Sequence, residues 1–229
     1  MEIEKTRGYG IAASDVEGSW DSAFKSKIKK AAIKTIMKQI TFLQKIQVLI
    51  WFYKEKKRAA KLDLSGIRAK GMRNEVFIKQ QLEYVSLFSA LTKVLNQERA
   101  LKIMYSVMDV TAVEALLLSL PEIDEVKKFG DSLEFFRKYM VSGMIAANKA
   151  GCHEITTTED STANIGFNIN WCVWFELAKK MDVPEACLAN CYADDLVYPH
   201  YFKALGIKYS REGTLAQGKK CCDIRFEKI

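Results

Sequence analysis

The residue pattern changes at Gly151, and this change restricts the chain to folds that combine a helical layer with strands. From Trp20 to about Ala150, apolar residues recur at helical spacing, which predicts four or five helices. The next segment, "HEITTTEDSTANIGFNINWCVW", is rich in Thr, Ile, Asn and aromatic residues around a turn-like "DSTAN". It predicts a β-hairpin with strands near 153–159 and 165–173.

A second hairpin is predicted near the C-terminus. Between the two hairpins the pattern is helical again, with breaks expected at Pro184 and Pro199. Residues 207–212 and 220–226 have the pattern of strands on either side of a glycine-containing turn. Four antiparallel strands after a helical layer predict an α+β fold, with a helical N-terminal layer packed on a C-terminal four-stranded antiparallel sheet.

Length and composition fit one folded domain over residues 1–229. A chain of 229 residues, of which 49% are apolar, can bury a core without disulfides or metals. Three prolines and twelve glycines are too few for long linkers. The predicted domain has a helical part, 1–150, and an α+β part, 151–229, that carries the motif residues.

Local signals predict several helix ends and the face that points to the core. Asn96 and Asp131 are predicted N-caps, and Gly151 is a predicted helix-ending glycine. An apolar stripe in the first helical region is predicted to face inward, with lysines on the other side. Its members are Ile28, Ala32, Ile36, Ile40, Leu43, Val48 and Phe52.

Positive charge is concentrated in residues 21–73. This segment holds fifteen Lys and Arg against three acidic residues, in a chain whose net charge is +7. Such asymmetry is typical of a nucleic-acid or membrane-surface helix, and equally of a solvated amphipathic helix. No helix-turn-helix, RNP motif or zinc finger accompanies it, so we expect a solvated face and no nucleic-acid partner.

The N-terminus and the hydropathy pattern predict a cytoplasmic protein. "MEIEKTRGYGIAASDVEGSW" lacks the basic and apolar regions of a signal peptide, and no apolar run reaches eighteen residues. We therefore expect no membrane partner. Thiols stay reduced in the cytoplasm, so the six cysteines, all between Cys152 and Cys222, are expected to be core, metal-binding or catalytic residues.

The C-terminal "KKCCDIRFEKI" contains two adjacent cysteines on a predicted strand. Alternation places Cys222, Ile224 and Phe226 on one face, and the intervening Cys221, Asp223 and Arg225 on the other. Cys222 is either a small buried apolar residue or part of a site, because free cysteine is among the most buried residue types.

A second cluster, "CLANCYADD", covers residues 187–195. In a helix, Cys187, Cys191 and Asp194 share one face. A thiol beside a carboxylate could form a nucleophile and base, or bind a cationic substrate. The alternative is a core helix face that ends in a solvated acidic cap.

Metal and serine-hydrolase sites are not expected. The cysteine spacing lacks the paired Cys-x2-Cys of structural zinc sites, and the only histidines are His153 and His200. There is no H-E-x-x-H, G-x-S-x-G, Walker or Rossmann pattern. We therefore expect neither a metal nor another cofactor.

The motifs in residues 150–229 together resemble the L-2-amino-thiazoline-4-carboxylic acid hydrolase family. The matching elements are Cys191 with Asp194, the turn Thr214, Leu215, Ala216 and Gly218, and the closing Cys222, Asp223, Ile224, Arg225 and Phe226. Cys172 in "INWCVW" also fits. Ile224 replaces the usual aromatic residue, and Lys219 stands where a second glycine is common.

This resemblance implies hydrolysis of a small cyclic amidine-like C–N/C–S substrate, in the named reaction the opening of an aminothiazoline ring to N-carbamoyl-cysteine. It implies a cysteine nucleophile and an aspartate acid or base. The catalytic candidates are Cys191, Asp194, Cys222 and Asp223, and the substrate-binding candidates are Arg225, Thr214, His200 and Cys172. A non-catalytic small-molecule sensor and a nucleic-acid-associated protein are the rival hypotheses. The sequence also leaves a homo-oligomer open.

Overall fold

Helices dominate the first two thirds of the chain. A computed structural model describes residues 3–229, so the first two residues of the predicted domain lie outside it. Its α-helices are α1 (Ala13–Ser19), α2 (Ser22–Gln39), α3 (Phe42–Ala59), α4 (Ser65–Ala69), α5 (Glu75–Val94), α6 (Gln97–Leu117), α7 (Ile123–Phe129), α8 (Ser132–Lys149), α9 (Val173–Lys180) and α10 (Ala186–Lys203). Short 3₁₀ helices cover Ile3–Lys5 and Leu215–Gln217.

Capping residues explain most of the helix starts. The side chains of Asn96 and Asp131 accept hydrogen bonds from the first turns of α6 and α8, which confirms both predicted caps. Between residues 20 and 150 the described chain has seven α-helices rather than four or five. One extra boundary lies at Thr41, whose capping box with Gln44 starts a new helix within the continuous apolar run.

The four strands form one antiparallel sheet, as predicted. They are β1 (His153–Asp160), β2 (Asn164–Cys172), β3 (Ile207–Ser210) and β4 (Cys222–Lys228), in the spatial order β1-β2-β4-β3. The central pair, β2 and β4, brings the two hairpins together. The α+β prediction is confirmed.

Gly151 connects the helical layer to the sheet. It follows α8 with φ +65°, a conformation that favours glycine, and a Cβ atom there would lie 2.3 Å from the backbone nitrogen of Met72. The predicted helix-ending glycine is therefore confirmed. Its lack of a side chain lets the loop at residues 70–72 lie against the entry to β1.

The helix α10 runs through Pro199, so the predicted break at that residue is wrong. A proline inside a helix costs about 3 kcal/mol. Here the buried Tyr201 and Phe202 follow it and join the core between the sheet and α8. The free energy gained by burying these two side chains offsets the cost of the backbone hydrogen bond that Pro199 cannot donate.

The orientation of α3 also differs from the prediction. Val48 of the predicted stripe is buried, and so is Ala59, but Leu43 of the same stripe is 71% exposed. The outward side carries a row of large apolar residues that we call the apolar face of α3. It consists of Phe42, Leu43, Ile46, Leu49, Ile50 and Tyr53.

Within residues 3–229, no helix combines the length and the apolar character needed to cross a bilayer.

Candidate active site

His153 and Cys172 face each other at the open end of the β1–β2 hairpin. His153 is the first residue of β1 and Cys172 the last residue of β2, and the antiparallel register pairs them directly. Directly paired residues point to the same face of a sheet, with Cβ atoms about 5 Å apart. The hairpin therefore holds an imidazole next to a thiol.

Two neighbours fix the imidazole ring of His153. The ring stacks on Trp174, with centroids 5.0 Å apart and planes inclined by 20°. Its Nδ1 atom lies 3.7 Å from Sγ of the buried Cys152. The ring is thus oriented from a helix on one side and from its own strand on the other.

Cys172 is also the N-cap residue of α9. Its backbone is extended (φ −140°, ψ 121°), and the helix begins at Val173. The free N–H groups in the first turn of a helix favour a negative charge at this position. The end of β2 therefore places the Cys172 sulfur at the N-terminus of α9, where a thiolate is stabilised.

The pKa of the Cys172 thiol is lowered well below its ordinary value. The largest cause is a hydrogen bond from the Cys187 thiol, and burial opposes it. His153 and the backbone amide of Phe175 lower the pKa further. All three groups favour the charged form of the Cys172 sulfur.

The pKa of His153 shifts in the opposite direction. Burial alone would lower it, but the interactions with Cys152 and Cys172 outweigh burial and raise the pKa to about 10. A raised imidazole pKa beside a lowered thiol pKa is the signature of a thiolate–imidazolium pair. The two shifts therefore both favour the charge-separated form of the pair.

Helix α10 contributes two further thiols from one face, as the spacing predicted. Cys187 is buried, and its pKa is raised well above the ordinary value because its thiol donates to Cys172 and also interacts with Cys191. Cys191 is half-buried. These two sulfurs lie near those of Cys152 and Cys172, beside His153. We call Cys152, Cys172, Cys187 and Cys191 together the thiol cluster.

Asp194 lies at the border of the thiol cluster, but its carboxylate forms an ion pair with Arg211. Its Oδ2 atom is 3.0 Å from Nη1 of Arg211, whose Nη2 lies 2.7 Å from Asp195 and donates to the carbonyl of Cys191 at 2.7 Å. Burial raises the pKa of Asp194 to about 6, although Arg211 opposes the rise. The side chain of Arg211 is buried, with 5% exposed, and no local sequence pattern points to this residue.

Cys222 lies on β4 beside the cluster. It pairs with Ile169 of β2, and its sulfur accepts a hydrogen bond from the backbone of Leu215 at 3.3 Å. Burial raises the pKa of Cys222 to about 12. This thiol therefore stays protonated and helps to hold the turn before β4.

Asp223 and Arg225 project from the other face of β4. Burial of Phe226 and partial burial of Ile224 among the sheet's core residues confirm the predicted alternation. The Asp223 carboxylate accepts from the backbone N–H groups of residues 212 and 213 at 2.9–3.1 Å. Arg225 donates to the carbonyl of Phe167 at 3.0 Å. The structure thus does not bring these two side chains to the thiol cluster.

Thr214 and His200 are also separate from the cluster. Thr214 is 2% exposed, and its hydroxyl accepts from the backbone of Gln217, so it caps the short helix that follows. His200 is exposed in the last turns of α10. Of the predicted substrate-binding residues, Cys172 alone belongs to the thiol cluster.

Glu17 of α1 adds a carboxylate that the sequence analysis missed. Its Oε2 atom accepts from Gln81 at 2.7 Å, and it also interacts with the side chain of Trp174. Burial raises the pKa of Glu17 to about 7, while the charge of His153 lowers it. No local motif marks this residue, because it reaches the site only through the packing of α1 on α5.

A cleft of about 460 Å³ opens beside His153. It is also lined by Lys70, Asn148, Glu154 and Asn170, so charged and amide groups surround it. Its size is that of small-ligand sites. Within residues 3–229, no three His, Cys, Asp or Glu side chains are arranged to hold a metal ion.

Comparison with known proteins identifies a family. Comparison with curated proteins and with solved structures finds no match. The sequence does match the family described as L-2-amino-thiazoline-4-carboxylic acid hydrolase over residues 75–226, which is more than half of the chain and includes the thiol cluster. The chain therefore belongs to the L-2-amino-thiazoline-4-carboxylic acid hydrolase family.

Proposed function

We propose that the protein hydrolyses a small cyclic amidine-like substrate of the aminothiazoline-carboxylate kind, with Cys172 as nucleophile and His153 as general acid and base. The observation that carries the proposal is the direct pairing of His153 with Cys172 at the start of α9. Family membership supports the reaction class, because the family is named for a hydrolase of this ring.

In the first step, the Cys172 thiolate attacks the ring carbon that is bonded to two nitrogens and to the ring sulfur. A new C–S bond forms to the enzyme, and the bond between this carbon and the ring sulfur breaks. The departing sulfur takes the proton of His153 and becomes a thiol. The carbon remains on Cys172 as an isothiourea, and His153 is left neutral.

In the second step, water attacks the same carbon. One proton of the water passes to His153 and the other to the former ring nitrogen. The C–S bond to Cys172 then breaks, which releases a ureido product and restores the thiolate and the imidazolium. One water is consumed for each N-carbamoyl-cysteine formed.

Two charged groups near His153 match the charges of such a substrate. Lys70 lines the adjoining cleft, where it pairs with Glu154, and can exchange this partner for the substrate carboxylate. Glu17 lies on the Trp174 side and can accept hydrogen bonds from the amidine nitrogens. Arg225, predicted for the carboxylate, instead donates to backbone and side-chain oxygens on the other face of the sheet.

Cys191 with Asp194 remains the alternative catalytic pair that the sequence predicted. We favour Cys172 because the Asp194 carboxylate is engaged by Arg211, whereas His153 directly faces Cys172. A base that is already ion-paired is less able to accept a proton from a thiol.

The test compares Cys172→Ser, His153→Gln and Cys191→Ser, with Cys221→Ala as a control for loss of a thiol outside the cluster. Formation of N-carbamoyl-cysteine from the aminothiazoline carboxylate is followed by chromatography. Cys172→Ser and His153→Gln should lose at least about a hundredfold in turnover, and the other two variants should change little.

Loss of turnover in Cys191→Ser with full activity in Cys172→Ser would replace our assignment with the predicted pair. Tight binding of the substrate without turnover by the unaltered protein would support the non-catalytic sensor hypothesis instead. Melting temperatures of all four proteins show whether an inactive variant is still folded.

A further inference from the structure

The apolar face of α3 is exposed to an unusual degree. Phe42 is 73% exposed, Leu43 71%, Tyr53 62% and Leu49 58%. Together with Ile46 and Ile50 they recur at intervals of three and four residues, so they form one stripe along about three turns. Large apolar stripes of this kind mark an interaction surface.

Lysines flank this stripe on both sides. At 100° per residue, Lys45 and Lys56 project on one side of the stripe and Lys54 on the other, while Lys57 continues it at the C-terminal end. Lys54 and Lys57 lie 4.6 Å from the ring centroids of Trp51 and Tyr53. Their aliphatic stems therefore extend the apolar surface, and their ammonium groups edge it.

Acidic residues are scarce in the helices that form this part of the surface, although Glu83 of α5 pairs with Lys56 at 2.6 Å. Helices α2 and α3 contain eleven Lys and Arg residues and one acidic residue, Glu55. Glu55 is 5% exposed and paired with Arg58, so it does not reduce the charge of the outer surface. A partner bound to the apolar face would therefore be surrounded by positively charged side chains.

We propose that the apolar face of α3 binds flat on an anionic lipid surface, with its apolar side chains at the acyl boundary and its lysines at the headgroups. An exposed apolar face with lysines on its flanks is typical of interfacial helices. This departs from the expectation of no membrane partner, which rested on the absence of a signal peptide and of an apolar run of eighteen residues. The proposal is independent of the enzymatic one.

A second copy of the chain fits this face less well. Pairing two apolar faces of α3 would place lysine against lysine with no exposed acid in either helix to compensate. A protein groove would have to wrap around a convex single helix. A lipid surface needs no complementary shape and supplies the negative charge.

The experiment is co-sedimentation of the purified full-length protein with vesicles of phosphatidylcholine alone or mixed with phosphatidylglycerol. We expect binding to the anionic vesicles only, and its loss at high salt. Leu43→Gln with Ile50→Gln should abolish it. Lys54→Gln with Lys57→Gln should weaken it by about 25-fold, since each lysine near such a surface contributes about fivefold.

Two matched double variants serve as controls. Val110→Gln with Val113→Gln changes two residues of α6 that are also exposed, 54% and 47%. Lys127→Gln with Lys128→Gln removes two exposed lysines from α7. Both controls should bind anionic vesicles like the unaltered protein.

Three results would overturn the proposal. One is failure of the unaltered protein to bind either vesicle. Another is equal loss of binding in the controls. The third is a dimer in size-exclusion chromatography that the α3 substitutions dissociate while vesicle binding persists, which would assign the face to a second copy. Unchanged melting temperature and thiol reactivity in the variants show that the fold is intact.

Discussion

The buried thiol of Cys187 donates a hydrogen bond to the sulfur of Cys172, so the first turn of α10 helps to set the charge of a residue at the end of β2. Two segments that are separated in the sequence by the whole of α9 thus share one proton. The chemistry of Cys172 depends on how α10 docks, and not only on the neighbouring histidine.

Replacing Cys187 with alanine should raise the pKa of Cys172, because the thiolate loses the hydrogen bond that lowers its pKa most. The rate of iodoacetamide alkylation at Cys172, followed by mass spectrometry across pH, should shift to higher pH. Cys221→Ala, outside the cluster, should leave the profile unchanged. An unshifted profile in Cys187→Ala would show that Cys187 does not lower the pKa of Cys172.

Turnover should fall as the pH rises through about 10. In the proposed mechanism His153 must carry a proton for the departing sulfur, and its pKa is raised to about 10 in the folded protein. The check is a pH–rate profile of kcat/KM for the unaltered protein, with melting curves to exclude unfolding at high pH. A decline centred near the ordinary histidine value of about 6.5 would contradict the ion pair.

Glu17→Gln should flatten the pH dependence of stability. Burial raises the pKa of Glu17 from 4.5 to about 7, so between these values the folded state binds more protons than the unfolded state. Stability therefore falls as pH rises across this window, and glutamine removes that contribution. Urea denaturation of both proteins at several pH values measures it. If the free energy of unfolding changed with pH equally in the two proteins, Glu17 would have the same pKa in the folded and unfolded states.

Asp223→Ala should destabilise the protein by roughly 1–3 kcal/mol while turnover per folded molecule changes little. The carboxylate holds the backbone N–H groups of Glu212 and Gly213, and alanine leaves them without that partner. Urea denaturation and kcat are measured on the same preparation. The opposite pattern, normal stability with lost turnover, would support the catalytic role that the family resemblance implied.

The sequence predicted the fold class and both hairpins because each depends on local patterns. Alternation and turn residues mark β1 and β2 within about one residue of their ends. The inward side of α3 could not be predicted in the same way, since apolar residues occur on both of its sides and hydropathy alone does not say which side the core takes.

The candidate site was predicted only in part. Cys172 and Cys191 are among the predicted site residues and lie in the thiol cluster, whereas His153 is not among them. The hairpin itself contained the missing signal, because its first and last residues must face each other in an antiparallel pair. Glu17 and Arg211 reach the site through tertiary packing, which leaves no mark in local sequence.

The region that matches the family begins at Glu75, after α1 to α4. The thiol cluster lies inside this region, whereas Glu17 and the apolar face of α3 lie before it. Under the two proposals, the segment before Glu75 supplies one carboxylate of the reaction centre and the lipid-binding face. Substitutions within the first 74 residues are therefore expected to alter substrate preference or vesicle binding while the proposed nucleophile and its histidine are retained.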